Sequence, residues 1–315
     1  SFGANSDNVV IGQVAMDAAD GTETGNVCIG NSAMGAVDEG SGGQADYNVA
    51  VGFGALTGGA LSSVNVNDNV AIGTNALNST GTNASLGQIA IGRDALTAIQ
   101  GSVGNIGIGY QAGAAMTNAD YNTAIGYQSL KTCVSGDYNT AVGYASLLTA
   151  NEDTANQNTA IGYNALTLLT TAINTTAVGS NAGAGGTLTG DSNTLIGKSA
   201  GASLTSGSEN VVVGSISGDA LQTGHGNTIL GRNAGGATVD VDRAVLIGSD
   251  AGGNANIVAA ADGTIAIGYR AAYELISGAQ NTCIGYEAGG DLTTGTANTA
   301  IGYGALDEAH DDTED

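Results

Sequence analysis

The chain has 315 residues and a formal net charge of −23, which arises from 29 acidic and 6 basic side chains. The basic residues are scattered singly, whereas binding to nucleic acid or to an anionic membrane surface requires clustered Lys and Arg, so this composition excludes both. No stretch of about 18 apolar residues occurs, and we therefore expect no insertion into a membrane. The excess of acidic side chains predicts a long, soluble surface that repels itself.

One short motif recurs from the start of the chain to its end. Its clearest copies are Asn122–Leu130, Asn139–Leu147, Asn158–Leu166, Asn281–Gly289 and Asn298–Leu306. Each copy centres on an apolar residue followed by a glycine. Successive glycines of this kind are separated by 17 to 22 residues, and 17 is both the shortest and the commonest spacing. The 17 glycines are Gly12, Gly30, Gly52, Gly73, Gly92, Gly109, Gly126, Gly143, Gly162, Gly179, Gly197, Gly214, Gly231, Gly248, Gly268, Gly285 and Gly302.

This period determines the predicted fold. A fixed short repeat is typical of a solenoid, in which each repeat forms one coil and is stable only when it is stacked on its neighbours. We predict an all-β, parallel β-solenoid (a β-roll) of about 17 coils with a 17-residue base period. The repeats leave no room for a second domain, so residues 1–315 are expected to form a single repeat domain. Its coils should run from about residue 8 to residue 306, followed by an acidic tail at 307–315.

Positions in each coil are numbered here from the central glycine, which is position 0. Position −1 is Ile, Val or Leu in all 17 copies, and position −3 is always β-branched. β-branched residues favour strands, so each coil is expected to contain a short strand that ends at the glycine. We assign position −1 to the core strand, and position 0 to a tight corner with unusual backbone angles. The core-strand candidates are Ile125, Val142, Ile161, Ile284 and Ile301, and the corner candidates are Gly52, Gly73, Gly126, Gly143, Gly162, Gly285 and Gly302.

Both faces of this strand are apolar. Position −2 points to the face opposite to positions −1 and −3, and it is never polar. A solitary solenoid buries one face of its strands and exposes the other to water, whereas apolar residues on both faces are typical of a doubly buried strand. The pattern therefore predicts a homo-oligomer, in which another copy of the chain covers the second face.

The volumes at positions −2 and +4 are complementary. Small Ala160 is accompanied by large Leu166, and large Leu195 is accompanied by Gly201. Close-packed interiors conserve volume in this way, so the two positions are predicted to share one packed layer. Coils that are small at both positions are the exceptions, and they are those of Gly109, Gly179 and Gly285.

Two further positions suggest ladders along the solenoid. Position −4 is Asn in 13 coils, which indicates either stacked side-chain amides or a turn-initiating Asn that caps its own backbone, and the sequence leaves both open. Position +1 is Tyr in seven coils and is mixed with polar residues elsewhere, which is typical of an exposed rim. Stacking of the rings between coils is the favoured interpretation, and sugar binding is the alternative. The candidate surface ladder consists of Tyr110, Tyr127, Tyr144 and Tyr163.

The insertions are expected on one edge of the solenoid, because all residues beyond the base period fall between about position +5 and position −5 of the next coil. The longest lie near Val37–Asp46, Thr57–Asp68 and Gly253–Gly263, and their Gly, Ser, Asn and Asp content predicts solvated loops. We predict no cofactor. Binding of calcium in the acidic loops is an alternative that no motif supports.

The sequence contains no recognisable catalytic constellation. Cys28, Cys133 and Cys283 have neither disulfide nor metal-site spacing and are expected to be small apolar fillers. The two histidines, His225 and His310, do not lie beside a nucleophile, and no phosphate-binding loop is present. We therefore predict that the chain is not an enzyme.

The Asn-Thr-Ala-Ile-Gly-Tyr-x-Ala units resemble the repeats of trimeric autotransporter adhesin heads and of phage tail fibres, and the resemblance extends from Asn8 to Leu306. It implies a left-handed parallel β-roll, three chains side by side, and attachment to a host surface.

Three functions are compatible with these patterns. The first is an extracellular structural fibre segment, on a cell or virion surface, whose insertion edge contacts a cell-surface glycan or protein. The second is a subunit of a self-assembling extracellular filament, because uncapped coils expose strand edges that template head-to-tail stacking. The third is an ice- or glycan-binding solenoid, which flat rows of Thr would support.

Overall fold

The structure, a computed structural model, describes residues 7–18, 23–37, 44–58, 65–79, 84–150, 155–253 and 261–307. The chain forms two compact units, Ser1–Gln157 and Asn158–Asp315. The strands of the first unit are β1 Val9–Ile11, β2 Val27–Ile29, β3 Val49–Val51, β4 Val66–Asn67, β5 Val70–Ile72, β6 Ser85–Leu86, β7 Ile89–Ile91, β8 Ile106–Ile108, β9 Thr123–Ile125 and β10 Thr140–Val142. Those of the second unit are β11 Thr159–Ile161, β12 Thr176–Val178, β13 Thr194–Ile196, β14 Val211–Val213, β15 Thr228–Leu230, β16 Val245–Ile247, β17 Ile265–Ile267, β18 Thr282–Ile284 and β19 Thr299–Ile301.

Each unit is a parallel β-solenoid. In the first unit, each three-residue strand pairs in parallel with the strand of the next coil, from β1 through β2, β3, β5, β7, β8 and β9 to β10. In the second unit, the same pairing runs without a break from β11 to β19. The described residues form no α-helix. The predicted fold class, an all-β parallel solenoid with a period of about 17 residues, is confirmed.

The coils stack in register, so that equivalent residues of successive coils lie side by side. Thr123, Ala124 and Ile125 pair with Thr140, Ala141 and Val142. Backbone hydrogen bonds run between coils, as where the Thr123 N–H donates to the Asn139 carbonyl oxygen at 2.8 Å. Each coil therefore satisfies its backbone groups on its neighbours, which is why one repeat cannot fold alone.

The turns use left-handed backbone at three positions in addition to the corner glycine. In the coil of Gly126, these are Tyr121 at position −5 (φ 56°), Gln128 at position +2 (φ 55°) and Leu130 at position +4 (φ 47°). Non-glycine residues rarely adopt this conformation, and each costs about 1–2 kcal/mol. The stacking of coils therefore has to supply the energy that holds these turns.

The coil interior is filled by position −2 and not by position −1. Ala124 and Ala141 are fully buried, whereas the outward-facing residues on either side of them are only partly buried. Position +3, which is Ala or Ser in every copy, also lies in the interior, as at Ala95 and Ala165. Large side chains at position +7, such as Ile99, complete the packed layer.

This arrangement corrects the assignment of position −1 to the core. Within its strand, each of these residues faces away from the coil interior, because side chains alternate along a strand and the interior face belongs to position −2. Ile161 is 40% exposed and Ile301 is 67% exposed. The corrected residues, which are half-exposed or exposed in the single chain, are Ile125, Val142, Ile161, Ile284 and Ile301.

The asparagines at position −4 form an inter-coil ladder. The Asn122 Oδ1 accepts a hydrogen bond from the Asn139 backbone N–H at 2.8 Å, and the Asn122 Nδ2 donates to the Gly136 carbonyl oxygen at 2.8 Å. Asn122 is fully buried, so these bonds satisfy polar groups that water does not reach. The ladder, rather than capping within one coil alone, is therefore the main role of this position.

Several predictions lie outside what the structure describes. Most of the insertion near Gly253–Gly263, much of those near Val37–Asp46 and Thr57–Asp68, and all of the acidic tail after Asp307 fall outside the described residues. The single repeat domain, the handedness of the coil and the trimer stay predictions.

Candidate interaction surface

The outward face of the strands is an uncharged band. It consists of positions −3 and −1, which are Thr, Val, Ile or Leu in every coil. In β9 and β10 the outward residues Thr123, Ile125, Thr140 and Val142 are each half-exposed. This band, which we call the strand face, is flanked along the chain by positions −5 and +1, where exposed tyrosines such as Tyr121 and Tyr127 lie.

The corner glycines allow the coils to stack closely. All the predicted corners have positive φ, for example 135° at Gly52 and 134° at Gly143. A Cβ on Gly52 would lie 2.6 Å from the carbonyl oxygen of Gly73 in the next coil. Position 0 is therefore restricted to glycine by both conformation and space. The predicted corners found with positive φ are Gly52, Gly73, Gly126, Gly143, Gly162, Gly285 and Gly302.

The tyrosines at position +1 stack along the solenoid. The ring centroids of Tyr110 and Tyr127 are 5.2 Å apart, and those of Tyr127 and Tyr144 are 5.1 Å apart with an angle of only 3° between the rings. Tyr163, the fourth predicted member, lies in the second compact unit and is 53% exposed. Within the first unit, the structure therefore stacks Tyr110, Tyr127 and Tyr144 into one continuous column.

Two more tyrosine stacks lie outside the four named ladder candidates, and only the one at position −5 was not expected from the sequence. Tyr121 and Tyr138, both at position −5, have centroids 5.4 Å apart on the opposite border of the strand face. In the second unit, Tyr269, Tyr286 and Tyr303 stack at 5.0 and 5.2 Å. The signal for the first pair was present, because the two tyrosines are separated by the repeat period of 17 residues.

Arginines border the position +1 columns. The Arg93 guanidinium lies 5.7 Å from the centroid of the Tyr110 ring, and the Arg270 guanidinium lies 5.5 Å from Tyr269 and 4.7 Å from Tyr273. Such cation–π contacts cover ring faces at the start of each column. Because neighbouring rings cover most of the other faces, the columns expose mainly ring edges and hydroxyl groups, which disfavours face-on stacking of a sugar.

Asp250 is the centre of a polar network in the second unit. Its carboxylate accepts hydrogen bonds from Arg232 Nη2 at 2.7 Å, Asn233 Nδ2 at 2.8 Å and Ser249 Oγ at 2.9 Å. Burial would raise the pKa of Asp250, but the hydrogen bonds from Asn233 and Ser249 and the charges of Arg232 and Arg270 outweigh it, so the pKa is lowered. The carboxylate therefore stays ionised and links its own coil to the preceding one.

Other titratable groups are also used within the fold. The Ser208 backbone N–H donates to His225 Nδ1 at 3.1 Å, and the His225 backbone N–H donates to Asp242 Oδ1 at 2.7 Å. Asp120 and Asp137 likewise accept backbone hydrogen bonds from the preceding coil. Their position, −6, forms a second ladder that runs opposite to the asparagine ladder. Across the described ranges, no group of three or more His, Cys, Asp or Glu side chains could hold a metal ion.

Within the part of the chain that the structure describes, no helix is long and apolar enough to cross a membrane. No protein-family model matches the sequence, and neither a curated protein nor a solved structure matches it.

Proposed function

We propose that the chain is a rod segment of an extracellular structural fibre, in which identical copies associate through the strand face. The observation that carries this proposal is the uncharged, half-exposed band of Thr, Val, Ile and Leu in a chain of net charge −23. Contiguous exposed apolar surface generally marks an interaction site, and parallel sheets are usually covered on both faces.

A second copy is the occupant that fits this face best. Its rows of β-branched side chains repeat at the strand spacing of about 4.8 Å, and another copy has the same period and can interdigitate along its whole length. Three residues of about 3.3 Å and this spacing give roughly 50 Å² per strand. The strand face therefore presents roughly 400 Å² in the first unit, which has eight three-residue strands, and roughly 450 Å² in the second, which has nine.

The number of copies and the cellular context are part of the proposal. The resemblance of the repeats to trimeric adhesin heads and tail fibres supports three copies side by side on a cell or virion surface. Attachment to a glycan or protein is assigned to the insertion edge, because the strand face is occupied by other copies. The acidic charge keeps assembled rods apart from one another.

Two neighbouring residues of β10 provide the test. Val142 faces outward and Ala141 faces inward. Val142→Asp should dissociate the oligomer while the circular dichroism spectrum stays that of a β-solenoid, because the new charge can be solvated in the single chain. Ala141→Asp should instead unfold the coils, since it places a charge in the interior. Native mass measurement and negative-stain microscopy distinguish the two results.

The outcome for the unmodified protein decides between the functions. Short rods of defined mass support the fibre segment, and long filaments support the head-to-tail filament subunit. A stable monomer would contradict the association through the strand face.

If the protein is a monomer, the rows of threonine favour an ice- or glycan-binding function instead. Thr159, Thr176 and Thr194 lie side by side on the strand face of the second unit and are half-exposed. Regular outward rows of this kind suit an ice- or glycan-binding surface. Inhibition of ice recrystallisation that is lost in Thr176→Lys, together with a monomeric mass, would support it.

A further inference from the structure

Stacked tyrosines of successive coils are held close together and are open to solvent. In pairs within the described residues, the ring centroids lie 5.0 to 5.4 Å apart and the interplanar angles are 3° to 27°. Tyr127, Tyr138 and Tyr144 are 44%, 57% and 47% exposed, so a reagent in solution can reach their rings. The pairs are Tyr110–Tyr127, Tyr127–Tyr144, Tyr121–Tyr138, Tyr269–Tyr286 and Tyr286–Tyr303.

We propose that these columns are sites of oxidative cross-linking, at which a one-electron oxidant joins tyrosines of neighbouring coils as dityrosine. The proposal concerns contacts within one chain and does not depend on how copies associate. The oxidant is a peroxidase acting with hydrogen peroxide.

The reaction balances as follows for each pair. Each phenol loses one electron to the oxidant and one proton to water, which gives two phenoxyl radicals. The radicals join through a new carbon–carbon bond between ring carbons ortho to the oxygens, and the hydrogens on those carbons move to the oxygens to restore both phenols. In total, two protons and two electrons leave the pair, and hydrogen peroxide takes them up to form two water molecules.

The fold supplies the proximity that this coupling needs. Tyr127 and Tyr144 follow β9 and β10 by two residues, and the in-register pairing of these strands fixes the backbone beside both tyrosines. The rings must leave the stacked geometry to bond edge to edge, and exposed side chains reorient on the picosecond to nanosecond timescale. The effective concentration of one tethered ring near the other is therefore on the order of millimolar or higher.

Tyr47 is a matched control within the same chain. It lies at position −5, as Tyr121 and Tyr138 do, and it is 63% exposed. Its equivalents in the coils before and after are Gly25 and Asp68, so no tyrosine adjoins it in its column. Exposure alone would make Tyr47 react as readily as the stacked residues, whereas coupling through the columns would leave it unlinked.

The consequence of the cross-link is a covalent tie between coils. Each bond would close a loop of about one repeat and reduce the entropy of the unfolded chain, as a disulfide does. Coils that are linked in this way can separate from one another only if covalent bonds break. Oxidation would therefore harden the rod after it has folded.

The test is peroxidase oxidation of the intact protein at about 1 µM, followed by trypsin digestion and mass spectrometry. Cleavage after Lys131 separates Tyr121 and Tyr127 from Tyr138 and Tyr144, so these links appear as two joined peptides that are two hydrogens lighter than their sum. Millimolar effective concentration predicts this product in roughly hundredfold or greater excess over any linked form of peptide 1–93, whose single tyrosine is Tyr47.

Two variants and one denatured control complete the experiment. Tyr127→Phe should remove the link to Tyr144 and leave that between Tyr121 and Tyr138, because phenylalanine keeps the ring but has no phenol to oxidise. Adding Tyr121→Phe should remove the joined peptide altogether, and oxidation in urea should remove the preference for the stacked pairs. Equal linking of peptide 1–93, or an unchanged product in urea, would overturn the proposal.

Discussion

The side chain of Leu195 occupies the space that a side chain at Gly201 would need. A Cβ on Gly201 would lie 2.7 Å from Leu195 Cδ2, and a Cβ on Gly183, in the preceding coil, would lie 2.8 Å from Leu195 Cδ1. Leu166 reaches Gly183 from the other side, at 2.8 Å. The coil of Gly179, which is small at both positions, is therefore filled by its neighbours, and volume is conserved between coils as well as within them.

This relationship predicts coupling between the two positions. Gly201→Leu should reduce the free energy of unfolding by about 1–3 kcal/mol through overpacking, and Leu195→Ala should reduce it by about 2–5 kcal/mol through the cavity. The double variant should lose less than the sum by at least ~0.5 kcal/mol, because the new Leu partly fills the cavity. Urea unfolding of the four proteins measures the cycle, and strict additivity would show that the positions do not share a layer.

The sequence predicted the structural features that require the same residue type in every coil. The period, the strand that ends at position 0 and the glycine corner all follow from the spacing of residues such as Gly126 and Gly143. The sequence did not show which face of the strand points into the coil interior. Both Ala124 and Ile125 are apolar, so their alternation does not indicate which of the two is buried. The left-handed backbone at Leu130 was also hidden, because leucine has no preference for it and only the packing of the coil enforces it.

The corner glycine should be far more sensitive to substitution than a glycine with open space. Gly52 has φ 135° and would place a Cβ 2.6 Å from the Gly73 oxygen, whereas Gly87 has φ 64° and would meet nothing within 4 Å. Gly87→Ala should cost about 1–2 kcal/mol for its left-handed backbone alone. Gly52→Ala should cost about 3 kcal/mol or more, since strain and collision add. Comparable losses in thermal or urea unfolding would refute the role of close coil stacking.

Removing an acceptor from the asparagine ladder should destabilise the protein. Asn122→Ala would leave the Asn139 N–H and the Gly136 carbonyl without their partner in a buried site, at a cost of about 2–4 kcal/mol. Asn122→Thr should cost less, because Thr175 occupies the same position and its Oγ1 accepts the Asn193 N–H at 3.4 Å. If alanine and threonine lowered the free energy of unfolding equally, the amide oxygen would not be the important acceptor.

The three cysteines should be unreactive in the folded protein and should make its stability sensitive to alkali. Burial raises the pKa of the Cys28 thiol to about 12 and is the main cause that raises those of Cys133 and Cys283 to about 11. An unfolded thiol ionises near pH 8.5, so the stability that these neutral thiols contribute is complete below that pH. Stability is then lost as the pH rises towards 11, because only the unfolded chain releases the proton, at about 1.4 kcal/mol per thiol and pH unit.

The measurement compares the protein with a variant in which the three cysteines are alanine, the residue that Ala50, Ala150 and Ala266 supply at the equivalent coil positions. Between pH 8 and pH 10.5, the free energy of unfolding of the cysteine-containing protein should fall more steeply than that of the variant. Iodoacetamide at pH 8.5 should label the thiols in urea but not in the native protein. Parallel pH profiles, or native labelling at the rate seen in urea, would mean that these thiols are not enclosed in the coil interior.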